Sequence, residues 1–420
     1  MRKILGSIAV AAAIAASPAW ATNGIRMIGF GPVQSSMGGV SVGASLDAAT
    51  VLTNPAGMAE LGGRFDFGAT YFGATVNYTA TDGVVCGTVA PPGGCLIVND
   101  GVEYTSDRGP SPVPAFGLVI PIDSQWSFGM GAYGVAGMGV DYAQNLYSST
   151  TYTGYQQMRF TPGVSYKLND MFSFGLTLNG MWATTEWNVA SAFGQSPHMA
   201  GSAFGLGVTL GAKITPIKML TIGLAYETKS FFQDFAYNTP GGVDKLTFDQ
   251  PGVLTGGVAV RPLEMLLIAA DVAWIDWPTS NGENLPAYSQ NASGAMPWNM
   301  NWSGQVVFKI GVEVTPIDWL AVRAGFNYGK MPLDASRAFE NIAFPAVAET
   351  HLTLGAGFNL GKRVTINVGG MWAPSTSISG ENSLPPMGTP GYPGPYGQGI
   401  ASYTTSMTQV GLDAGIAYKF

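Results

Sequence analysis

Charge is what this chain has least of. Asp, Glu, Lys and Arg make up 11% of its 420 residues, less than half of the roughly 25% found in soluble globular domains. An ordinary solvated surface over two or three soluble domains is therefore excluded. The 19 Lys and Arg residues form no basic cluster interleaved with aromatics, which argues against a nucleic-acid partner. Histidine occurs only at His198 and His351. Neither has a nucleophile motif beside it, so no enzyme is expected. The two cysteines, Cys86 and Cys95, flank Pro91-Pro92-Gly93-Gly94 with no histidine nearby. That is too little for a metal site, and in an oxidising compartment it reads as a disulfide within one loop. No cofactor motif remains once context is weighed: Gly129-Met130-Gly131-Ala132-Tyr133-Gly134 spells the dinucleotide fingerprint but opens no helix. Beyond the N-terminus, no run of 18 apolar residues is long enough for a membrane helix.

The N-terminus itself has the parts of an export signal. Arg2 and Lys3 precede an apolar stretch from Ile4 to Ala16, and Ala19-Trp20-Ala21 offers small residues for cleavage after Ala21. Residues 1–21 are therefore expected to be removed and the mature chain exported.

What the mature chain does have is apolar residues and glycine. Hydrophobic residues reach 46%, and the 58 glycines are about twice the usual share. An apolar chain without membrane helices leaves the closed β-barrel as the structure that satisfies its backbone in lipid. The alternation agrees. From Gln305 to Val314, Val306, Phe308, Ile310, Val312 and Val314 oppose Gln305, Val307, Lys309, Gly311 and Glu313. From Trp319 to Tyr328, Leu320, Val322, Ala324, Phe326 and Tyr328 oppose Ala321, Arg323, Gly325 and Asn327. One face suits lipid and the other a lumen.

Fourteen such segments are expected in residues 63–420, near 64–78, 113–121, 125–140, 156–168, 171–187, 202–215, 218–231, 247–261, 264–277, 304–315, 318–329, 349–360, 363–374 and 403–420. An even number is what a single-chain bacterial barrel requires. Short turns, such as Leu168-Asn169-Asp170 and Pro316-Ile317-Asp318, alternate with long loops such as Pro278 to Ser303. This is the periplasmic and extracellular asymmetry of outer-membrane barrels. Two aromatic girdles are expected: Trp126, Phe172, Trp319 and Tyr418 near the turns, and Trp182, Trp274, Trp277, Tyr328 and Trp372 near the loops. The chain ends inside a strand, on Phe420.

Residues 22–62 do not alternate. They are rich in Gly, Ala and Ser and end in Asn54-Pro55-Ala56-Gly57, and they read as a plug inside the barrel. Charged residues expected to line the lumen include Arg159, Lys167, Lys213, Glu227, Lys229, Asp271, Lys309, Glu313, Arg323 and Asp413. Pairing with one another or with the plug is the default. Arg159 and Arg323 are candidate ligand-binding residues, because a guanidinium grips a carboxylate bidentately. Gly129, Gly131 and Gly134 crowd the third strand, where glycine marks a bend or makes room for a neighbour.

A signal peptide, a plug of about forty residues ending in Asn-Pro-Ala, and some fourteen strands finishing in Phe together resemble the FadL/TodX family of outer-membrane transporters. Ser36-Met37-Gly38-Gly39 and Asn54-Pro55-Ala56-Gly57 carry the most specific part of the resemblance. It implies passive uptake of long-chain fatty acids or other hydrophobic compounds by a barrel that is usually monomeric. Cargo would leave sideways into the membrane at a kinked third strand, with Asn54, Pro55 and Ala56 beside the opening. An aqueous porin is the rival reading, and a plug is what a porin lacks. The connection from about Asn188 to Gly201 is short, whereas fatty-acid members of the family build an outer groove partly from a long loop there.

Overall fold

The computed structural model describes residues 23–81, 83–86, 95–98, 101–142, 151–189, 199–239, 242–281, 288–290, 300–338, 341–381 and 402–420. The expected signal sequence and most of the connection between the fifth and sixth strands lie outside these residues.

Fourteen antiparallel strands form the ring. In chain order they are β1 (Arg64–Thr81), β2 (Ser111–Pro121), β3 (Trp126–Tyr142), β4 (Thr151–Phe160 continued by Gly163–Lys167), β5 (Phe172–Val189), β6 (Met199–Ile217) and β7 (Leu220–Glu227). After them come β8 (Val253–Leu263), β9 (Leu266–Ile275), β10 (Gln305–Ile317), β11 (Leu320–Gly329), β12 (Thr350–Leu360), β13 (Val364–Glu381) and β14 (Ser402–Lys419). Each pairs with the next, and β1 closes on β14 from Arg64 opposite Lys419 to Thr81 opposite Ser402. Closure removes the two terminal edges that an open sheet would present to lipid.

The alternation explains which face goes where. On β10, Val306, Phe308 and Ile310 are exposed while Gln305, Val307 and Gly311 are buried. On β14, Val410, Leu412 and Ile416 point out and Gln409, Gly411 and Asp413 point in. Trp126, Trp319 and Tyr418 are exposed near the turns, and Trp182, Trp274, Tyr328 and Trp372 near the loops. Trp277 departs from expectation: it is fully buried, edge-on to Trp302 at 4.9 Å, so it belongs to the interior and not to the outer girdle.

Three strand boundaries also differ. Thr161-Pro162 interrupts β4, since proline has no N–H for the ladder. The segment expected as 218–231 ends at Glu227, and the one expected to start at 247 starts at Val253. The residues between form short pieces above the ring, including a hairpin of Phe235–Thr239 with Gly242–Leu246. Lys167 is not in the lumen; it sits half-exposed at the turn and pairs with Asp170.

The turns hold because a side chain replaces a strand partner. Asp123 accepts from the N–H groups of Gln125 and Trp126, at 2.8 and 2.7 Å. Asn169 accepts from Met171 and Phe172 at 2.8 and 2.9 Å. The two donated bonds hold the Asp123 carboxyl below its ordinary pKa. In the first outer loop, Gly83–Cys86 pairs with Cys95–Val98, which sets Cys86 opposite Cys95 in register. Their side chains lie outside the described residues.

Residues 23–62 lie inside the ring. They carry only short helices, α1 (Gly31–Ser36), α2 (Thr50–Thr53) and α3 (Met58–Leu61), with a 3₁₀ turn over Pro55–Gly57. Met37, Val40, Val51, Ala56 and Met58 are fully buried. Segments this short make few helical bonds of their own, so their shape is set by what the wall offers them.

Candidate functional site

The wall offers them, first, glycines at the points of contact. The Asn54 side chain accepts from the Ala56 N–H at 3.3 Å, capping the 3₁₀ turn, and donates to the Val42 carbonyl at 2.8 Å. This knot rests on three adjacent strands. A Cβ at Gly175 of β5 would meet the Pro55 carbonyl carbon at 2.3 Å. One at Gly211 of β6 would meet the Asn54 side-chain oxygen at 2.1 Å, and one at Gly223 of β7 the Val42 oxygen at 2.0 Å. Backbone lies on backbone here, and any side chain would lift it. Gly211→Val is therefore expected to leave a folded barrel whose residues 54–57 have become cleavable by added protease. Protection equal to wild type would show that the seat does not need the glycine.

The wall also offers hydrogen bonds from charged and polar side chains to the backbone of the inner segment. Asp271 on β9 accepts from the N–H groups of Ser41 (2.8 Å) and Val42 (3.1 Å). Lys309, facing Asp271 across the ladder on β10, donates to the Gly39 carbonyl at 3.2 Å. Side chains of the segment are held too: Lys213 on β6 pairs with the Glu60 carboxylate and donates to the Ser45 hydroxyl at 2.6 Å. Asp66 accepts from Ala48 at 2.6 Å, and Arg64 donates to Leu46 at 3.0 Å. On β12, Thr353 accepts from Gly38 at 2.9 Å. Gly38 and Gly39 both have positive φ, 67° and 81°. A Cβ at Gly39 would sit 1.7 Å from the Ile28 carbonyl oxygen. Only glycine fits that tight reversal.

The two candidate arginines are both engaged. Arg323 donates to Glu313 at 2.8 Å and to Asn367 at 2.9 Å. Arg159 pairs with Glu227, whose carboxylate also takes both terminal nitrogens of Arg26 from the inner segment, at 3.0 and 2.8 Å. One carboxylate at the outer end of β7 thus ties two guanidiniums, one from the wall and one from the segment.

The least regular part of the wall is β3. Up to Tyr133 it pairs normally with β2, ending at Ala115 opposite Tyr133. Beyond that point the two strands part. Here β2 reads Ser111-Pro112-Val113-Pro114, and its two prolines have no N–H to give. Above the split β3 no longer alternates: every residue from Tyr133 to Val140 is buried. A bulge at Val135, between Gly134 and Ala136 on the β4 side, marks the bend. The freed edge of β3 is completed from inside. Met27 donates to Val135 at 3.0 Å, Gly137 donates to Ile25 at 3.0 Å, and Arg26 stands opposite Ala136. Higher still, Asp107 of the first outer loop donates to Asp141 at 2.8 Å. The gap in the β2–β3 ladder therefore runs from Gly134 to Val140, about 20 Å at the usual strand rise.

The three glycines singled out in β3 fall on two sides of this split. Gly134 stands at the departure. Gly129 and Gly131 lie below it, in the paired half. There a Cβ would strike Met58 of α3 (2.2 Å) and the Tyr133 ring (2.3 Å) respectively. Asn54-Pro55-Ala56 rests on β5, β6 and β7, and it is residues 25–27 that touch the split edge. Proline at 112 and 114 was the signal for the gap available in sequence. The partner role of Ile25–Met27 had none.

The lumen holds an apolar cluster and a mixed cavity. Met27, Ile28, Phe72, Val113 and Met371 cluster with Phe30 near the split. A cavity of about 70 Å³ lies between the inner segment and β7–β10. Its lining mixes Met27, Phe30, Val42, Leu52, Val253, Ile275 and Val307 with Arg26, Glu227 and Lys309. Among the described residues no group of His, Cys, Asp or Glu is placed to hold a metal.

The fold is shared with known channels. The Pseudomonas putida toluene transporter TodX superposes with a TM-score of 0.71 at 18% identity, covering 94% of this chain and 99% of that one. A Pseudomonas aeruginosa FadL homologue gives 0.74 at 17%, covering 94% and 100%. The Ralstonia pickettii toluene transporter TbuX gives 0.63 at 18%, covering 94% and 99%. At such identities the likeness establishes the fold alone. No curated protein matches the sequence significantly. A family profile does match, over residues 8–383, that of the outer membrane protein transport proteins (OMPP1/FadL/TodX). With residues 8–383 matched, and a fourteen-stranded barrel that holds residues 23–62 inside it, this protein belongs to the OMPP1/FadL/TodX family of outer-membrane transport proteins.

Proposed function

We propose that the protein admits hydrophobic compounds passively across the outer membrane, that residues 23–62 act as its plug, and that cargo leaves sideways between β2 and β3. The observation that carries this reading is the exchange of partners on β3: where β2 stops pairing, the plug's Ile25–Met27 takes its place. Withdrawal of three residues would uncover an opening toward the lipid, and the apolar cluster that Met27 shares with Phe72, Val113 and Met371 lies on its lumen side. Transfer of an apolar molecule onto such a path gains about 0.8 kcal/mol per buried methylene, so no energy source is needed.

The charge pairing favours neutral hydrocarbons as cargo. Arg26 and Arg159 share Glu227, Arg323 holds Glu313, and Lys213 holds Glu60. A carboxylate would have to compete with each of these. One observation favours the fatty-acid class instead: Arg159 is 1% exposed and keeps two guanidinium nitrogens without a partner among the described residues. Uptake into cells lacking other such channels separates these readings, using a labelled alkylbenzene and a labelled long-chain fatty acid side by side. Arg159→Gln is expected to leave alkylbenzene uptake within about twofold of wild type. A selective fall in fatty-acid uptake would establish the carboxylate reading. Wild-type proteoliposomes that swell freely in small sugars, as an open aqueous pore would, would sink the transporter reading altogether.

A further inference from the structure

The outer mouth of the barrel is crossed by a strap that the plug does not explain. The connection between β11 and β12 includes residues 341–348, Asn-Ile-Ala-Phe-Pro-Ala-Val-Ala, and every residue from Ala343 to Ala348 is buried. A surface loop would not be so deeply covered. Its path follows from the ring order. β11 stands seven strands from β4 in one direction, and β12 stands six strands from β4 in the other. Yet the Thr153 hydroxyl of β4 donates to the Ala343 carbonyl at 2.7 Å. A loop that leaves one wall and bonds to the opposite wall must pass over the lumen.

Its two ends are held differently. Asn341 is fixed by three bonds: it accepts from the Trp302 indole at 2.7 Å and donates to the carbonyls of Met300 and Arg337, both at 3.0 Å. Beyond it the strap carries no charged side chain. Phe344 lies flat over Phe248, with ring centroids 5.7 Å apart and planes 21° apart. Phe248 in turn meets Tyr155 of β4 edge-on at 5.0 Å, and the Tyr155 hydroxyl is held by Gln157 and Gln250. Phe248 and Tyr155 thus make an aromatic shelf whose upper side is filled by a ring of the protein's own.

We propose that this shelf is the outer binding site for cargo, occupied in the closed protein by Phe344, and that a planar neutral molecule of one or two rings takes its place. The exchange is nearly balanced in chemistry: one ring leaves the shelf and another arrives, with offset stacking available to both. Beyond Asn341 the strap is held by that stack, by the Thr153 bond and by the packing of Ala343, Ala346, Val347 and Ala348 in the apolar core, contacts that can part without separating an ion pair. Phe344 is then the residue that sets the size and shape of what is admitted. A flat ring matches the vacated place, whereas a long flexible chain would leave most of its methylenes off the shelf.

The proposal rests on the transport reading, and its test separates the two. The full-length protein in detergent is titrated with naphthalene, following tryptophan fluorescence, and the same preparations in proteoliposomes are assayed for naphthalene uptake. Phe344→Ala is expected to tighten naphthalene binding about tenfold and to raise uptake several-fold, because the internal competitor is gone. Thr153→Cys with Ala343→Cys, made in a Cys86→Ser, Cys95→Ser background, should tie the strap down when oxidised and admit naphthalene again after reduction. If wild type takes up no hydrophobic probe, the transport reading fails. If wild type takes it up, but Phe344→Ala leaves both binding and uptake unchanged, or the oxidised pair transports like the reduced one, the shelf and strap are overturned while transport stands.

Discussion

Joining the plug to β3 with a disulfide is expected to stop transport completely and reversibly. Arg26 and Ala136 face each other across the bridge between the plug and the freed edge of β3. The flanking bonds, Met27 to Val135 and Gly137 to Ile25, make the pair a non-hydrogen-bonded one. In such pairs the Cα atoms are about 4.5 Å apart, within the range a disulfide spans without strain. Arg26→Cys with Ala136→Cys, in a chain whose native cysteines are replaced by serine, should therefore oxidise readily. The oxidised protein is expected to take up a labelled alkylbenzene at the rate of empty vesicles, and the reduced protein at a rate close to wild type. Reduction also controls for the lost arginine, since Arg159 still faces Glu227 in both forms. Full transport in the oxidised state would mean that the side opening is not the exit.

The second large effect is expected at Asp271. This buried carboxylate accepts from the N–H groups of Ser41 and Val42 and faces Lys309 across the ladder. Asp271→Ala leaves those donors without their acceptor at about 1–3 kcal/mol each. It also removes the carboxylate that faces Lys309 across the ladder. The barrel ladders do not pass through this side chain, so the loss falls on the plug. In planar bilayers the variant should show frequent open-channel events that wild type lacks, while its gel mobility before and after heating still reports a folded barrel. Asp271→Asn should restore much of the closure, because both N–H groups go to one oxygen, whose place an amide oxygen can take. A closed, silent Asp271→Ala channel would show that the plug is held by its glycine seat alone.

A smaller effect couples the two kinds of plug contact. The Gly211→Val substitution acts on shape, against Asn54, and the Asp271→Ala substitution on hydrogen bonding, at Val42, and Asn54 and Val42 are themselves bonded. Their effects on channel opening should therefore be less than additive, because either change loosens the same knot.

Much of the architecture is settled by the sequence alone, because a membrane leaves a chain few choices. Lipid cannot hydrogen-bond the backbone, so scarce charge, absent apolar runs and period-two alternation together require a closed ring. The register of Val306, Phe308 and Ile310 against Gln305, Val307 and Gly311 then decides which face meets lipid, since a slip of one residue would turn each side chain over. The same rule is silent wherever both sides of a strand are covered. From Tyr133 to Val140 the outer half of β3 is buried on both faces, and the alternation that marks a strand disappears there. The gap could be suspected from Pro112 and Pro114, but its filling by Ile25–Met27 joins residues more than a hundred positions apart. Likewise, Asn54 finds its seat on Gly175, Gly211 and Gly223, three glycines among 58 that nothing local distinguishes. The β11–β12 connection reads as one more long loop until the Thr153 bond to Ala343 shows it crossing the ring. Local periodicity determines the barrel because each strand meets the same solvent on each face. What lies inside was decided only in three dimensions, because there each residue answers to a different neighbour.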